Sequence, residues 1–92
     1  LYASGDRNRV ILAELLERSP AAAAGIEPGD ELISYDGERV FRAAELKRLT
    51  TEGEAGAPVE LRVRREGEIV RLFVERGPLG VRLRMETRPP VR

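Results

Sequence analysis

Nineteen consecutive residues, Ser19-Pro20-Ala21-Ala22-Ala23-Ala24-Gly25-Ile26-Glu27-Pro28-Gly29-Asp30-Glu31-Leu32-Ile33-Ser34-Tyr35-Asp36-Gly37, constrain this chain more than any other part of it. Pro20 suits a first helical turn, and Ser19 before it is placed to cap the free amides there. Four alanines then make a short helix slim enough to lie close against a sheet. Gly25 ends it where a positive φ is easy. Pro28-Gly29 forms a turn whose first φ is preset, and Asp30 is placed to bond back to the turn amides. Leu32, Ile33 and Tyr35 follow as a strand that stops at the hairpin signal Asp36-Gly37. Helix, turn, strand and a second turn thus follow one another in under twenty residues.

Periodicity organises the remainder. Val10 to Leu16 is a mostly apolar strand, and Val40 is a short strand after the hairpin. Arg42 to Leu49 reads as a helix with Leu46 and Leu49 on one face. Thr50 to Pro58 is a loop by its Gly and Pro content. Val59, Leu61 and Val63 alternate with Glu60, Arg62 and Arg64, and after the turn at Glu66-Gly67 Val70, Leu72 and Val74 alternate with Arg71, Phe73 and Glu75. A third alternation sets Leu79, Val81, Leu83 and Met85 against Gly80, Arg82, Arg84 and Glu86. The organisation expected is an extension at 1–9, a domain at 10–86 and a disordered tail at 87–92, where Pro89-Pro90 cannot extend a central strand.

The ordered set Ser19-Pro20-Ala21, Ala24-Gly25-Ile26, Gly29-Asp30 and Gly37 resembles the corresponding stretch of PDZ domains, the bacterial kind above all. The resemblance implies a mainly β fold with two helices (α+β), a partly open β-barrel or sandwich capped by a short and a longer helix. PDZ domains hold a peptide's terminal carboxylate in a loop with glycine between two apolar residues, directly before the peptide-binding strand. Residues 1–9 lack that pattern, whereas Pro78-Leu79-Gly80-Val81 fits it. The chain therefore resembles a circularly permuted PDZ domain with the carboxylate loop near its C-terminal end. The competing reading takes Gly77 to Val81 as no more than an exit from the domain.

By that resemblance the amides of Leu79, Gly80 and Val81 would hold the carboxylate as an anion nest. Leu83 and Met85 would continue one wall of the groove, with Arg42, Leu46 and Leu49 of the helix opposite. The ligand would add as a strand beside Val81 to Met85, and an aliphatic pocket would favour Val, Leu, Ile or Ala at its C-terminus. Leu46 and Leu49 also suit a core role, and Arg42 a solvated one. The function implied is recognition of protein C-termini by a regulatory or substrate-tethering part of a larger bacterial protein, associated with proteases or secretion. An alternative is a module of the same fold that makes intramolecular or homomeric contacts without binding a free carboxylate. The isolated domain is expected to be a monomer. The resemblance favours the cell envelope, and a cytoplasmic setting also fits a chain without cysteine.

Other classes fare poorly. With no histidine, the usual proton shuttle near neutral pH is missing, and Ser4, Ser19 and Ser34 have no partner base. Lys47, the sole lysine, sits on a charged helix face. Glu52 and Glu54 fall in a loop that would not fix their separation. No spacing of His, Cys or Asp suggests a metal, and no glycine-rich loop precedes a helix as a phosphate cradle does, so no catalysis, metal or cofactor is expected. Arg62, Arg64, Arg71, Arg82 and Arg84 raise a nucleic-acid reading. Sixteen basic residues balance sixteen acidic ones, however, and the two tyrosines and two phenylalanines make a thin stacking platform. Arginine more simply supplies the wet face of half-buried strands. No apolar run approaches the roughly 20 residues of a membrane-spanning helix, so no direct membrane insertion is expected.

Overall fold

A computed structural model describes residues 8–87. The chain runs β1 (Asn8–Leu15), α1 (Pro20–Ala24), β2 (Asp30–Tyr35), β3 (Glu38–Arg39), α2 (Ala43–Thr51), β4 (Pro58–Arg65), β5 (Glu68–Glu75) and β6 (Val81–Thr87). Six antiparallel strands form one sheet in the order β5-β4-β2-β1-β6, with β3 on β2, and the two helices complete the fold. The expected class, mainly β with two helices, is what the chain adopts. The sheet stays open: β5 and β6 lie at its two ends and do not pair, so no barrel closes.

Local chemistry accounts for α1 as expected. The Ser19 hydroxyl accepts the Ala22 amide at 3.1 Å, Pro20 opens the helix, and Gly25 closes it in the left-handed region at φ 94°. The Asp30 carboxylate accepts the Glu27 amide at 2.9 Å across the Pro28-Gly29 turn. Asp30 also opens β2, all six residues of which are buried.

Several boundaries differ from the sequence reading, each for a local reason. Strand β1 begins at Asn8, within the segment read as an extension, because Asn8 and Arg9 pair with Thr87 and Glu86. The same pairing carries β6 through Thr87, the first residue assigned to the tail; the rest of that tail lies outside the described residues. The short strand after the hairpin is Glu38–Arg39, paired with Tyr35 and Ser34, while Val40 turns into the core. Helix α2 starts one residue later than expected, with Glu45 Oε1 accepting the amides of Phe41 and Arg42 at 2.7 and 3.0 Å. It also runs further, through Thr50 and Thr51, whose hydroxyls bond back to the carbonyls of Lys47 and Arg48.

The core gathers both helices onto the sheet. Val10, Leu12, Leu32, Tyr35, Leu61 and Val63 from the strands meet Ala21 of α1, Leu46 and Leu49 of α2, and Leu79 from the segment before β6. The alternation predicted for β4 holds, with Val59, Leu61 and Val63 buried. On β5, Val74 is buried whereas Ile69 and Phe73 face solvent.

Candidate functional site

Strand β6 is an end strand of the sheet, bonded to β1 on one side only. It pairs antiparallel with β1 in the register Val10↔Met85, Leu12↔Leu83 and Leu15↔Val81, with Ala13 as an extra residue that breaks the ladder between Leu12 and Glu14. Between β6 and α2 runs a cleft of about 370 Å³. Leu46 of α2 and Leu79, Val81 and Leu83 of the opposite side give it aliphatic walls, and Ala43, Lys47, Thr50 and Thr51 complete the helical side.

Arg76 fixes the head of the cleft. As β5 ends, its guanidinium donates to the Leu49 carbonyl at 2.6 Å, pairs with Asp36 and lies 5.6 Å from the centroid of the Tyr35 ring. The C-terminal end of α2 is thereby tied to the start of the segment leading into β6. That segment, residues 77–80, is pinned by its carbonyls: Leu79 O accepts the Ala21 amide at 3.0 Å and Gly80 O accepts the Leu16 amide at 2.8 Å. The amides of Leu79 and Gly80 have no acceptor among the described residues. Gly80 has φ 72°, and a Cβ there would stand 2.5 Å from the Ser19 Cβ. The first turn of α1 and the loop before β6 thus press together so closely that only glycine fits.

The structure brings Leu46, Leu79, Gly80, Val81 and Leu83 together, as the sequence reading grouped them. Leu79 is at the same time part of the core, 4% exposed. Three other residues of that reading stand elsewhere. Leu49 is buried in the core, Arg42 is exposed ahead of α2, and Met85 is 43% exposed beyond the last cleft residue of β6. Length explains Met85: the nine residues of α2 span about 13 Å, against about 23 Å for the seven of β6. Leu16, Ala43, Lys47, Thr50 and Thr51 also line the cleft, and the sequence reading does not include them in the groove. The four on α2 share a helical face with Leu46 at spacings of three and four; Thr50 and Thr51 fall beyond the expected helix end at Leu49, and Lys47 reads as part of a charged face. A second concavity of about 330 Å³ lies between α1 and β5, with Arg18 and Glu75 among its lining and the exposed Phe73 at one side. The sequence reading assigns nothing there.

Comparison with known proteins agrees with this geometry. The sequence model of the PDZ domain matches residues 11–65. A protein of Brucella suis named as a candidate zinc metalloprotease is 37% identical over 81 residues, which cover 82% of this chain and 21% of that protein. Among solved structures, the PDZ domain of an SdrC-like protein from Listeria monocytogenes superposes with a TM-score of 0.67 at 16% identity, covering 80% of this chain and 85% of the other. An HtrA-type protease solved with a decapeptide superposes with a TM-score of 0.70 at 22% identity, covering 97% of this chain and 25% of that one. The curated relatives are several times longer than this chain, which spans between 10 and 21% of the first of them. An open antiparallel sheet, a capped α1 wedged against a glycine loop, and a sequence match over more than half the chain lead to one assignment: this chain belongs to the PDZ domain family, whose members are non-catalytic interaction modules.

Proposed function

We propose that the cleft between β6 and α2 binds the C-terminus of a protein partner as an added strand, and that the chain serves as a tethering or regulatory module of a larger bacterial, protease-associated protein. The observation that carries this reading is the pair of amides at the head of the cleft. Leu79 and Gly80 have their carbonyls committed to Ala21 and Leu16, and their N–H groups have no acceptor among the described residues. Two successive free amides in a turn at positive φ are what an anion nest needs. Val81, next along the chain, is the third donor of the proposed nest. The end strand supplies ladder positions for the ligand backbone, and Leu46, Val81 and Leu83 supply an aliphatic pocket for its last side chain.

The order of elements supports a permuted arrangement, since the strand beside the groove comes last in the chain and pairs with the first. The relatives named above support the protease-associated setting, and the decapeptide of the HtrA-type structure supports peptide as the ligand class.

A peptide ending in a free valine should shift the amide resonances of Leu79 and Gly80, and its C-terminally amidated twin should bind far more weakly. Removing the anion forfeits charge-assisted hydrogen bonds worth about 1.5–3 kcal/mol. Equal affinity for both twins would mean that the groove reads internal segments, and the carboxylate reading would fail.

A further inference from the structure

We propose that two copies of this chain pair through β5, antiparallel across a two-fold axis at Phe73, and extend the sheet from one copy into the other. The β4–β5 hairpin decides which groups of β5 are free. Its turn is the pair Glu66-Gly67, both at positive φ, so the flanking residues Arg65 and Glu68 exchange ladder bonds, and every second pair beyond them does the same. Pro58, which has no N–H to donate, falls opposite Glu75 at a position that needs none. Ile69, Arg71, Phe73 and Glu75 therefore turn their backbone N–H groups and carbonyls away from β4, and these have no partner among the described residues. End strands are ordinarily kept from pairing by shortness, bulges, lysine or proline. Strand β5 has none of these, since its eight residues pair with β4 in one unbroken register. The same four residues carry exposed side chains, among them Ile69 at 49% and Phe73 at 59%.

Chemistry selects a second copy as the occupant and sets the register. A two-fold axis normal to the sheet must place bond-ready residues of one copy opposite those of the other. At least three such pairs form only with the axis at Arg71, Leu72 or Phe73. At Arg71, the guanidinium would face its own image. At Leu72, the Glu75 carboxylate would face the partner's Ile69. At Phe73, the ring faces its own image and Arg71 faces the partner's Glu75 on each side of the axis. Charge balance within one copy favours this last arrangement. The Glu60 carboxylate is shared between Arg62 and Arg71, at 3.2 and 2.7 Å, while Glu75 has no ion-pair partner among the described residues. The surplus cation of one copy thus meets the free carboxylate of the other. On the inner side of the strand, the register sets the partner's Leu72 opposite Val74, at the concavity of about 330 Å³ between α1 and β5. The cleft beside β6 lies at the opposite end of the sheet and stays open in both copies, whether or not it takes a carboxyl terminus. In place of the monomer expected of the isolated domain, one strand edge gives a weak, concentration-dependent dimer.

Sedimentation velocity and amide NMR of the 92-residue chain, at low ionic strength and from tens of micromolar up to about 1 mM, test this. The average mass should rise toward that of a dimer, and the amides of Ile69, Arg71 and Phe73 should shift with concentration. Arg71→Glu and Glu75→Arg each set like charges opposite one another on both sides of the axis, and each should weaken self-association about five- to tenfold. An equimolar mixture of the two variants should recover it, because each supplies the charge that the other lacks. Phe73→Lys, which places two ammonium groups on the axis, should keep the chain monomeric throughout the series. All three positions are exposed, and circular dichroism would verify that the variants fold. A parent chain that stays monomeric over the whole series overturns the inference. So does a dimer that Phe73→Lys leaves intact, or one whose concentration-dependent shifts fall on β6 and α2, which would make the cleft the self-association surface. Single charge variants that associate as tightly as the parent, or a mixture that fails to regain what they lost, overturn it equally, because Arg71 and Glu75 would then not face each other.

Discussion

Gly80 shows how much of the site is decided by a single missing atom. Its φ of 72° and the 2.5 Å approach that a Cβ would make to Ser19 are separate obstacles to any side chain. The Ser19 Cβ cannot swing aside, because its hydroxyl caps α1 and its residue opens the helix. Gly80→Ala should therefore lower stability by about 1–3 kcal/mol, read as a shift of the urea midpoint. Removing the other half of the clash gives a sharper check. Ser19→Gly alone costs only a few tenths of a kcal/mol, since glycine is tolerated at an N-cap. If the contact is real, the double variant should be less destabilised than the sum of the two singles, a coupling expected only between touching residues. Strict additivity would mean that the φ alone makes the glycine necessary. The sequence marks Gly80 as a loop glycine between apolar residues. It does not reveal the close approach to Ser19, because that contact exists only once β6 has paired with β1.

At the scale of the element, α2 carries two duties on adjoining faces. Leu49 points into the core, whereas Leu46 belongs to both the core and the cleft wall. Their spacing in the sequence shows one apolar stripe but not where core stops and groove begins. That division depends on how the helix is rotated over the sheet, and the Arg76 bond to the Leu49 carbonyl helps to set it. Strands were easier to read: β1, β4, β5 and β6 follow from alternation or apolar runs, and α1 from its cap, proline and terminal glycine. The groove face of α2 was harder because threonines ordinarily signal a loop, and here their hydroxyls satisfy helical carbonyls instead. Leu46→Ala should cost about 2–5 kcal/mol of stability, since the side chain is buried. It should also weaken binding of a peptide with an aliphatic C-terminus, whereas Glu68→Ala, exposed at the far edge of the sheet, should not. Both variants need comparison at a temperature where thermal melts show them folded. Unchanged affinity in the folded Leu46 variant would assign this helix a packing role alone.

For the molecule as a whole, one ion pair ties together parts that are remote in sequence. Arg65, at the end of β4, donates from Nε and Nη2 to the two carboxylate oxygens of Asp30 at 2.9 and 2.7 Å, and from Nη2 to the Gly25 carbonyl at 3.1 Å. The sequence shows Asp30 as a turn residue, and nothing in it pairs that aspartate with an arginine near the other hairpin. In the fold this pair locks the C-cap of α1 and the first residue of β2 to β4, and so holds α1 where it supports the loop before β6. Burial alone would raise the pKa of Asp30, whose residue is only 2% exposed. The Arg65 hydrogen bond, the Glu27 amide and the Arg65 charge outweigh burial and hold it below the ordinary 3.8. A carboxylate depressed in the folded state stabilises that state at every pH above its unfolded pKa. Between the two pKa values the unfolded chain binds the extra proton, so this stability falls as the pH drops and is gone below the folded value. Asp30→Asn should thus lose about 1.5–3 kcal/mol at neutral pH, the range for hydrogen bonds to charged groups. Its deficit relative to the parent should narrow steadily as urea titrations are repeated below about pH 4, the ordinary range of an aspartate. A deficit that stays constant down to the acid limit would show that Asp30 acts through its shape and its turn hydrogen bond, and that the charge on the pair contributes nothing to holding α1 against the groove.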